Sequence, residues 1–397
     1  MLSRLLNIVC ILFLLLVPAT ASVKETIAAM APSGLVLVLD EEGKVLVSQN
    51  ADKAFVPASV AKIATAWLAM EVLGADHRFE THFYLDQNRK LYVRGGGDPF
   101  LISEELELLA EKLLQATGTE PFNGIALDTS YYPKTLRIPG IEDTDEAYDA
   151  LNSALAVNFN TIHAVRKGKS VRSAEKQTPI TPLAISQFLK RGPKGRGRIS
   201  LAQEDPSVSS LYAGELLAAF VRKAGGSVEG DVAIVPVPRN LTPVYVHRQS
   251  RGLAEILKSM LLGSNNYITN QIFLEIGAHR LGGQVSLEKS LQVARQALGK
   301  HDLIETVRLV EGSGISRENQ FTADGLAKLL HQFAPHASLL RRTKAGSRYK
   351  TGSLSDVRTL AGYAQTSKHG MVRFVISLPG NTGKLRFRLL RAIEQGL

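Results

Sequence analysis

The sequence predicts a mixed α and β protein that is not a doubly wound parallel sheet. Its elements run strands, helix, long interruption, helices, strands, helix. No run of regular β–α–β units and no internal repeat occurs along it, and such units are what a parallel sheet requires.

Each element has a local reason. Leu35–Leu39 and Lys44–Val47 read as strands of a hairpin around Glu41-Glu42-Gly43. Ala58 to Leu73 has helical apolar spacing and is stopped by Gly74. Thr81–Leu85 and Lys90–Arg94 read as a second hairpin, closed by Gly95-Gly96-Gly97-Asp98-Pro99. Glu104 to Gln115 is an amphipathic helix, and Gly124–Leu127 a short strand. From about Ile138 to Pro206 periodicity is poor and Gly, Pro, Lys and Arg abound. Helices return at Gly214–Lys223, Leu253–Leu262, Tyr267–His279, Leu287–Leu298 and Ala323–Phe333. Strands are expected at Tyr349–Ser353, Thr359–Gln365 and Val372–Leu378, with a last helix from Lys384.

The 397 residues suffice for two or three domains, and 45% hydrophobic residues suit a packed globular chain. One cysteine excludes a disulfide scaffold, a cysteine zinc ribbon and an iron–sulfur protein. The net charge of +10 points to an anionic partner. Arg4, the apolar run Leu5–Val17, Pro18 and the small residues Ala19-Thr20-Ala21 read as a secretory signal cut before Ser22. That run is shorter than the ~20 residues a spanning helix needs. Cys10 falls within it without a lipidation context, so the mature chain holds no cysteine. Export to the periplasm makes nucleic acid an unexpected partner.

Common signatures fail. The glycine a P-loop requires before Gly168-Lys169-Ser170 is His163, and Gly95-Gly96-Gly97 lacks a third spaced glycine. No H-E-x-x-H and no G-x-S-x-G is present. Three short motifs in order stand out instead. Ser59-Val60-Ala61-Lys62 opens a helix, Ser264-Asn265-Asn266 sits between helices, and Lys350-Thr351-Gly352-Ser353 lies on a strand. On a helix Ser59 and Lys62 share a face, so the amine can reach the hydroxyl. Backbone N–H groups near a helix start suit a developing oxyanion. A serine needs a base, and a desolvated lysine beside another cation loses its proton near neutral pH, with Lys350 the candidate second cation.

S-x-x-K, S-D-N and K-T-G are the signature of penicillin-binding proteins and class A β-lactamases, and Asn265 is the one departure. The chain most resembles the class C low-molecular-mass penicillin-binding proteins, the DacB-like D-Ala-D-Ala carboxypeptidases/endopeptidases. Pro57-Ala58-Ser59, Leu91–Pro99 and Glu311-Gly312-Ser313-Gly314-Ile315-Ser316-Arg317-Glu318-Asn319 carry that resemblance, as does the long gap from Lys62 to Ser264. It implies a penicillin-binding/β-lactamase-like transpeptidase fold, an antiparallel sheet plus a helical lobe, built from residues 22–78 and 250–397. Residues 79–249 are then a large inserted part.

The resemblance also implies roles. Ser59 attacks the D-Ala-D-Ala carbonyl, Lys62 is general base, Ser264 relays the proton, and Asn266 orients Lys62 and the substrate amide. Lys350 and Thr351 hold the terminal carboxylate, Gly352 belongs to the same strand, and N–H groups of Ser59 and Ser353 form the oxyanion hole. Arg317 and Asn158 are expected near the diamino-acid side chain of the substrate. Peptidoglycan stem peptides are the implied substrate and β-lactams the inhibitors, with no metal or organic cofactor. A β-lactamase and a non-catalytic wall-binding protein are the alternatives.

Residues 166–198 hold ten Lys/Arg and one acid, Glu175, nearly the whole positive excess. They are expected to form a mobile solvated loop, with docking to an anionic cell-wall or outer-membrane surface the alternative. Leu385–Arg391 is basic and amphipathic. Packing on the sheet is favoured there over membrane association.

Overall fold

The computed structural model describes residues 22–201 and 205–397. The signal-peptide reading of residues 1–21 lies outside the described residues. Helix α1 (Val23–Met30), missing from the sequence reading, opens on a capping box in which Ser22 Oγ accepts from Glu25 N and the Glu25 carboxylate accepts from Ser22 N. Strands β1 (Leu35–Leu39) and β2 (Val45–Gln49) follow. The predicted helix from Ala58 is two pieces: a 3-10 turn over Ala58–Ala61, then α2 (Lys62–Val72). Next come β3 (Glu80–Leu85), β4 (Leu91–Gly95), α3 (Ser103–Thr117) and β5 (Ile125–Asp128). They are followed by β6 (Thr161–Lys167), β7 (Ser170–Ser173), α4 (Pro182–Arg191), β8 (Gly195–Ser200) and α5 (Ser207–Lys223). Two short strands, β9 (Val232–Ile234) and β10 (Tyr245–Arg248), lead to helices α6 (Leu253–Gly263), α7 (Asn266–Leu281) and α8 (Leu287–Gly299). The chain closes with β11 (Val307–Arg308), β12 (Gln320–Phe321), α9 (Ala323–Phe333), β13 (Arg341–Arg342), β14 (Arg348–Ser353), β15 (Val357–Gln365), β16 (Met371–Pro379) and α10 (Gly383–Gly396).

The first sheet is antiparallel throughout, in the order β13-β14-β15-β16-β1-β2. Strand β1 is apolar at every position because both its faces are covered. Leu35, Leu37 and Leu39 face the helical lobe, while Val36 and Val38 pack with Leu389, Leu390 and Ile393 of α10. The C-terminal helix therefore buries its apolar side on the sheet. Among the described residues no helix is long and apolar enough to cross a membrane. The lobe centres on α2 and α7. Residues 62–69 and 267–278 are buried almost all round, as befits helices enclosed on every side.

A second core gathers residues between Phe83 and Val228. Its sheet, β10-β3-β4-β5-β9, is mixed: β3 pairs antiparallel with β4, but β4, β5 and β9 run parallel. Helices α3 and α5 supply its apolar cover through Leu109, Leu113, Leu216 and Phe220.

The expected mobile loop at 166–198 is corrected by the structure. It folds as the sheet β7-β6-β8 with α4 against one face. Ile162, Ala164, Val171, Phe188 and Ile199 point inward into the second core. Lys167, Arg172, Arg196 and Arg198 take outward positions, while Arg166 shares the face of Val171 and donates to Leu189 O of α4, and the crowd of basic residues masks the period-two pattern in composition.

Candidate active site

The Ser59 turn is clamped by close backbone approaches. Pro57 O accepts from Thr359 Oγ1 of β15 at 2.8 Å. A Cβ on Gly352 would lie 2.1 Å from Thr359 Oγ1 and 2.7 Å from Pro57 O, so only glycine lets β14 reach the turn. Gly314 meets it from the other side: its φ is +79°, and a Cβ there would lie 1.9 Å from Ala58 O. Ala58 itself takes φ 50°, rare for a residue with a Cβ, directly before Ser59. Ser59 is half-buried, with its hydroxyl beside Lys62.

Lys62 is fully buried at the first position of α2. Its Nζ lies 3.0 Å from Ser59 Oγ, 2.7 Å from Asn266 Oδ1 and 2.6 Å from Ser313 O. Burial pulls its pKa from 10.5 down to about 7, against an opposing pull from the Glu311 carboxylate. The partners dictate what the neutral amine does. Asn266 Oδ1 and Ser313 O can only accept, so they take its two hydrogens. The lone pair is then left for the Ser59 hydroxyl, which donates to it. Burial, the desolvation expected from sequence, is the main cause of the lowered pKa, and the coupling to the expected second cation, Lys350, shows as a lowering of the Lys350 pKa.

Ser264 ends α6 with φ 53°, and its Oγ accepts from Lys350 Nζ at 2.8 Å. Lys350 also donates to Thr351 O. Its pKa is lowered by burial first, then by the like charges of Lys62, Arg386 and Arg341. Arg386, from α10, donates to Gly352 O at 2.7 Å and lies 3.2 Å from Ser353 Oγ, so the last helix braces the Lys350–Ser353 strand. Asn265, the departure from the motif, accepts from Ile268 N and caps α7, work an amide does as well as a carboxylate. Asn266 Nδ2 donates to Tyr148 O.

The structure thus brings Ser59, Lys62, Ser264, Asn266, Lys350, Thr351, Gly352 and Ser353 together. Arg317 stands just beyond the end of β14, hydrogen-bonded to Ser355 and ion-paired with Asp356 at 2.7 Å on the surface. Asn158 is a correction. It is buried in the second core, where its Oδ1 accepts from Ser103 N at the start of α3 and its Nδ2 donates to Ser103 Oγ. None of its hydrogen bonds reaches the cleft. Its polar atoms serve α3.

Glu311, which the sequence motif alone gives no role, organises the neighbouring loop. It is fully buried, and its carboxylate accepts from Ser313 N, Ser313 Oγ, Gly314 N and Asn319 Nδ2. This shapes the turn that presents Ser313 O to Lys62 and Gly312 O to Thr65 Oγ1. The cluster of glycine, serine and asparagine around one acid was the available signal. Replacing Glu311 by Gln would set an amide donor against backbone donors. We predict that Glu311→Gln lowers unfolding stability by about 2–4 kcal/mol, read as a reduced denaturant midpoint. An unchanged midpoint would remove Glu311 from the organisation of the site.

Comparison with known proteins agrees with this geometry. The model of the D-Ala-D-Ala carboxypeptidase 3 (S13) family matches residues 21–188 and 196–345. The D-alanyl-D-alanine carboxypeptidase of Actinomadura sp. (strain R39) is 28% identical over 92% of this chain and 78% of its own. The crystal structure of penicillin binding protein 4 (dacB) from Haemophilus influenzae superposes with TM-score 0.75 at 20% identity, covering 93% of this chain and 97% of that one. The predatory peptidoglycan endopeptidase Bd3459 from Bdellovibrio bacteriovorus gives TM-score 0.55 at 17% identity, covering 90% of each chain. With its sequence matched over most of its length and its fold shared, the chain belongs to the D-Ala-D-Ala carboxypeptidase 3 (S13) family.

Proposed function

We propose that the chain is an exported, periplasmic serine D-Ala-D-Ala carboxypeptidase/endopeptidase that cleaves peptidoglycan stem peptides through an acyl-enzyme on Ser59. The observation that carries this reading is the buried amine of Lys62, held 3.0 Å from Ser59 Oγ by two obligate acceptors. Ser59 loses its proton to Lys62 as its oxygen attacks the peptide carbonyl. Ser264 passes a proton to the departing D-Ala amine, and Asn266 fixes both Lys62 and the substrate amide. The N–H groups of Ser59 and Ser353 stabilise the oxyanion, each donor worth roughly 10²–10³ in rate. Water then releases the peptide.

The terminal carboxylate docks on Lys350 and Thr351. Its negative charge favours the protonated form of Lys350 and so offsets the burial that depresses it. Arg317 beside the end of β14 is assigned to the substrate side chain, its exposed pair with Asp356 being open to exchange. Residues 22–78 and 250–397 are assigned to the catalytic domain and 79–249 to the insertion. Cutting before Ser22 would leave the new amino group against the Glu25 carboxylate, which supports processing there.

β-Lactams are assigned as inhibitors. The Haemophilus influenzae protein has been solved complexed with a β-lactam, and Bd3459 has been solved penicillin G acylated. Among the described residues no carboxylate is hydrogen-bonded to Ser59, Lys62, Ser264 or Lys350. Glu311 is turned into its own loop. A penicilloyl ester therefore lacks a positioned carboxylate to activate water, and its leaving amine stays tethered where water would approach, so the adduct persists.

Incubation with penicillin should raise the intact mass by one adduct mapped to Ser59, with D-Ala released from a wall pentapeptide. Ser59→Ala should abolish both, and Lys62→Ala should slow acylation by about 10²–10⁴-fold. Rapid penicillin turnover without D-Ala release would instead make the chain a β-lactamase. Lys62 works as a base only when neutral, so acylation should rise with pH through about 7 and level off above it. A flat profile between pH 5 and 9 would contradict Lys62 as the base.

A further inference from the structure

The basic segment forms a built surface that the catalytic reading leaves unused. In the small sheet, Val165 of β6 pairs with Arg172 of β7 on one side and Arg196 of β8 on the other, and His163 pairs with Arg198. Directly paired residues point to the same face. Ile162, Ala164, Val171 and Ile199 take the opposite face and are buried. Lys167, Arg172, Arg196 and Arg198 therefore share one solvent face, and all four are exposed. Arg198 is neutralised by Glu175 at 2.6 Å, at the end nearer the body. Lys167, Arg172 and Arg196 have no ion pair among the described residues, and exposed Lys169 and Lys194 extend the charge around the opposite end. The glycines of that end, Gly168 and Gly195, face open space.

From this geometry we infer that the outer face of the β7-β6-β8 sheet docks the protein on an anionic lipid bilayer surface. Strands lie about 4.8 Å apart, so Arg172 and Arg196 stand within about 10 Å of each other, one Debye length, and act on a charged surface together. The strands carry no Phe, Tyr or Trp on this face, and the His163 ring is engaged by Glu175 and Arg198, so a glycan finds no open aromatic platform and a bilayer no wedge to insert. A flat array of long cationic side chains on a rigid sheet matches a layer of anionic headgroups. Each basic side chain adds roughly a fivefold gain in partition to such a surface.

The test uses the chain from Ser22 onward, which holds every described contact, in sedimentation with vesicles of phosphatidylglycerol and phosphatidylcholine in equal parts. Binding should be measurable at low salt, weaken as salt rises, and be absent with phosphatidylcholine alone. The triple variant Lys167→Gln, Arg172→Gln, Arg196→Gln should lose about a hundredfold in partition. The control triple Lys112→Gln, Lys258→Gln, Lys300→Gln, equal in net charge, should keep near-original binding. Unchanged melting temperature and penicillin acylation in both triples guard against misfolding. Ser59→Ala should bind vesicles normally, so this result and the acyl-enzyme reading fail separately. Absence of binding to the anionic vesicles, equal loss in the two triples, or retention of a soluble polyphosphate without vesicle binding would each overturn the proposal.

Discussion

A buried amine joins three distant stretches of chain. Lys62 Nζ reaches Ser59 in the 3-10 turn just before its helix, Asn266 across 204 positions and Ser313 across 251. Putting an amine at a fully buried site disfavours its charged form, and the lost hydration must be replaced by acceptors. Two carbonyl oxygens supply that replacement, and both need further support. Asn266 Oδ1 is set by the amide's other bond, to Tyr148 O, and by the start of α7 that Asn265 caps. Ser313 O is set by the Glu311 turn. The same burial that would destabilise a lysine charge leaves a lone pair facing a serine. Position and reactivity have one cause.

The second constraint is how closely the sheet approaches the Ser59 turn. Gly352 lets β14 lie against Pro57 O, and Arg386 from the last helix holds that strand through Gly352 O. The C-terminal helix thus belongs to the mechanism's scaffold. The stretch from 79 to 249 is held where it begins and ends: Gln249 N donates to Phe79 O, and Arg78 donates to Ser250 O. A buried polar set at this junction joins Glu105 to His247 and Ser250, and Asp98 to Gln249. Burial raises the Asp98 pKa to about 6, and Gln249 and Phe100 N donate to its carboxylate.

Much of the catalytic half was legible because its signals are local. The apolar runs of β15 and β16, the residues that cap α7 and α9 and the three short motifs each declare themselves within a few residues. What stayed hidden depends on partners far along the chain. Asn158 was assigned by its position in a resemblance, yet Ser103, 55 residues away, claims its side chain. The depressed pKa of Lys62 was legible as an effect of desolvation, but the groups that enclose the amine, Asn266 of α7 and the Ser313 loop, lie 204 and 251 positions away. At 166–198 the basic residues crowd together while most of the inward apolar residues they alternate with, Ile162, Ala164 and Ile199, lie just outside those bounds, so composition spoke for a loop while the pairing belongs to a sheet.

The central claim is that burial brings the Lys62 amine to a pKa of about 7, so that a large fraction of it is neutral near neutral pH. Its direct test is an NMR titration of the free protein carrying lysine labelled at ¹³Cε, with the Lys62 signal identified by its loss in Lys62→Ala. The account predicts that this one resonance titrates with a midpoint near 7. A midpoint in the ordinary lysine range, about 10, would contradict it.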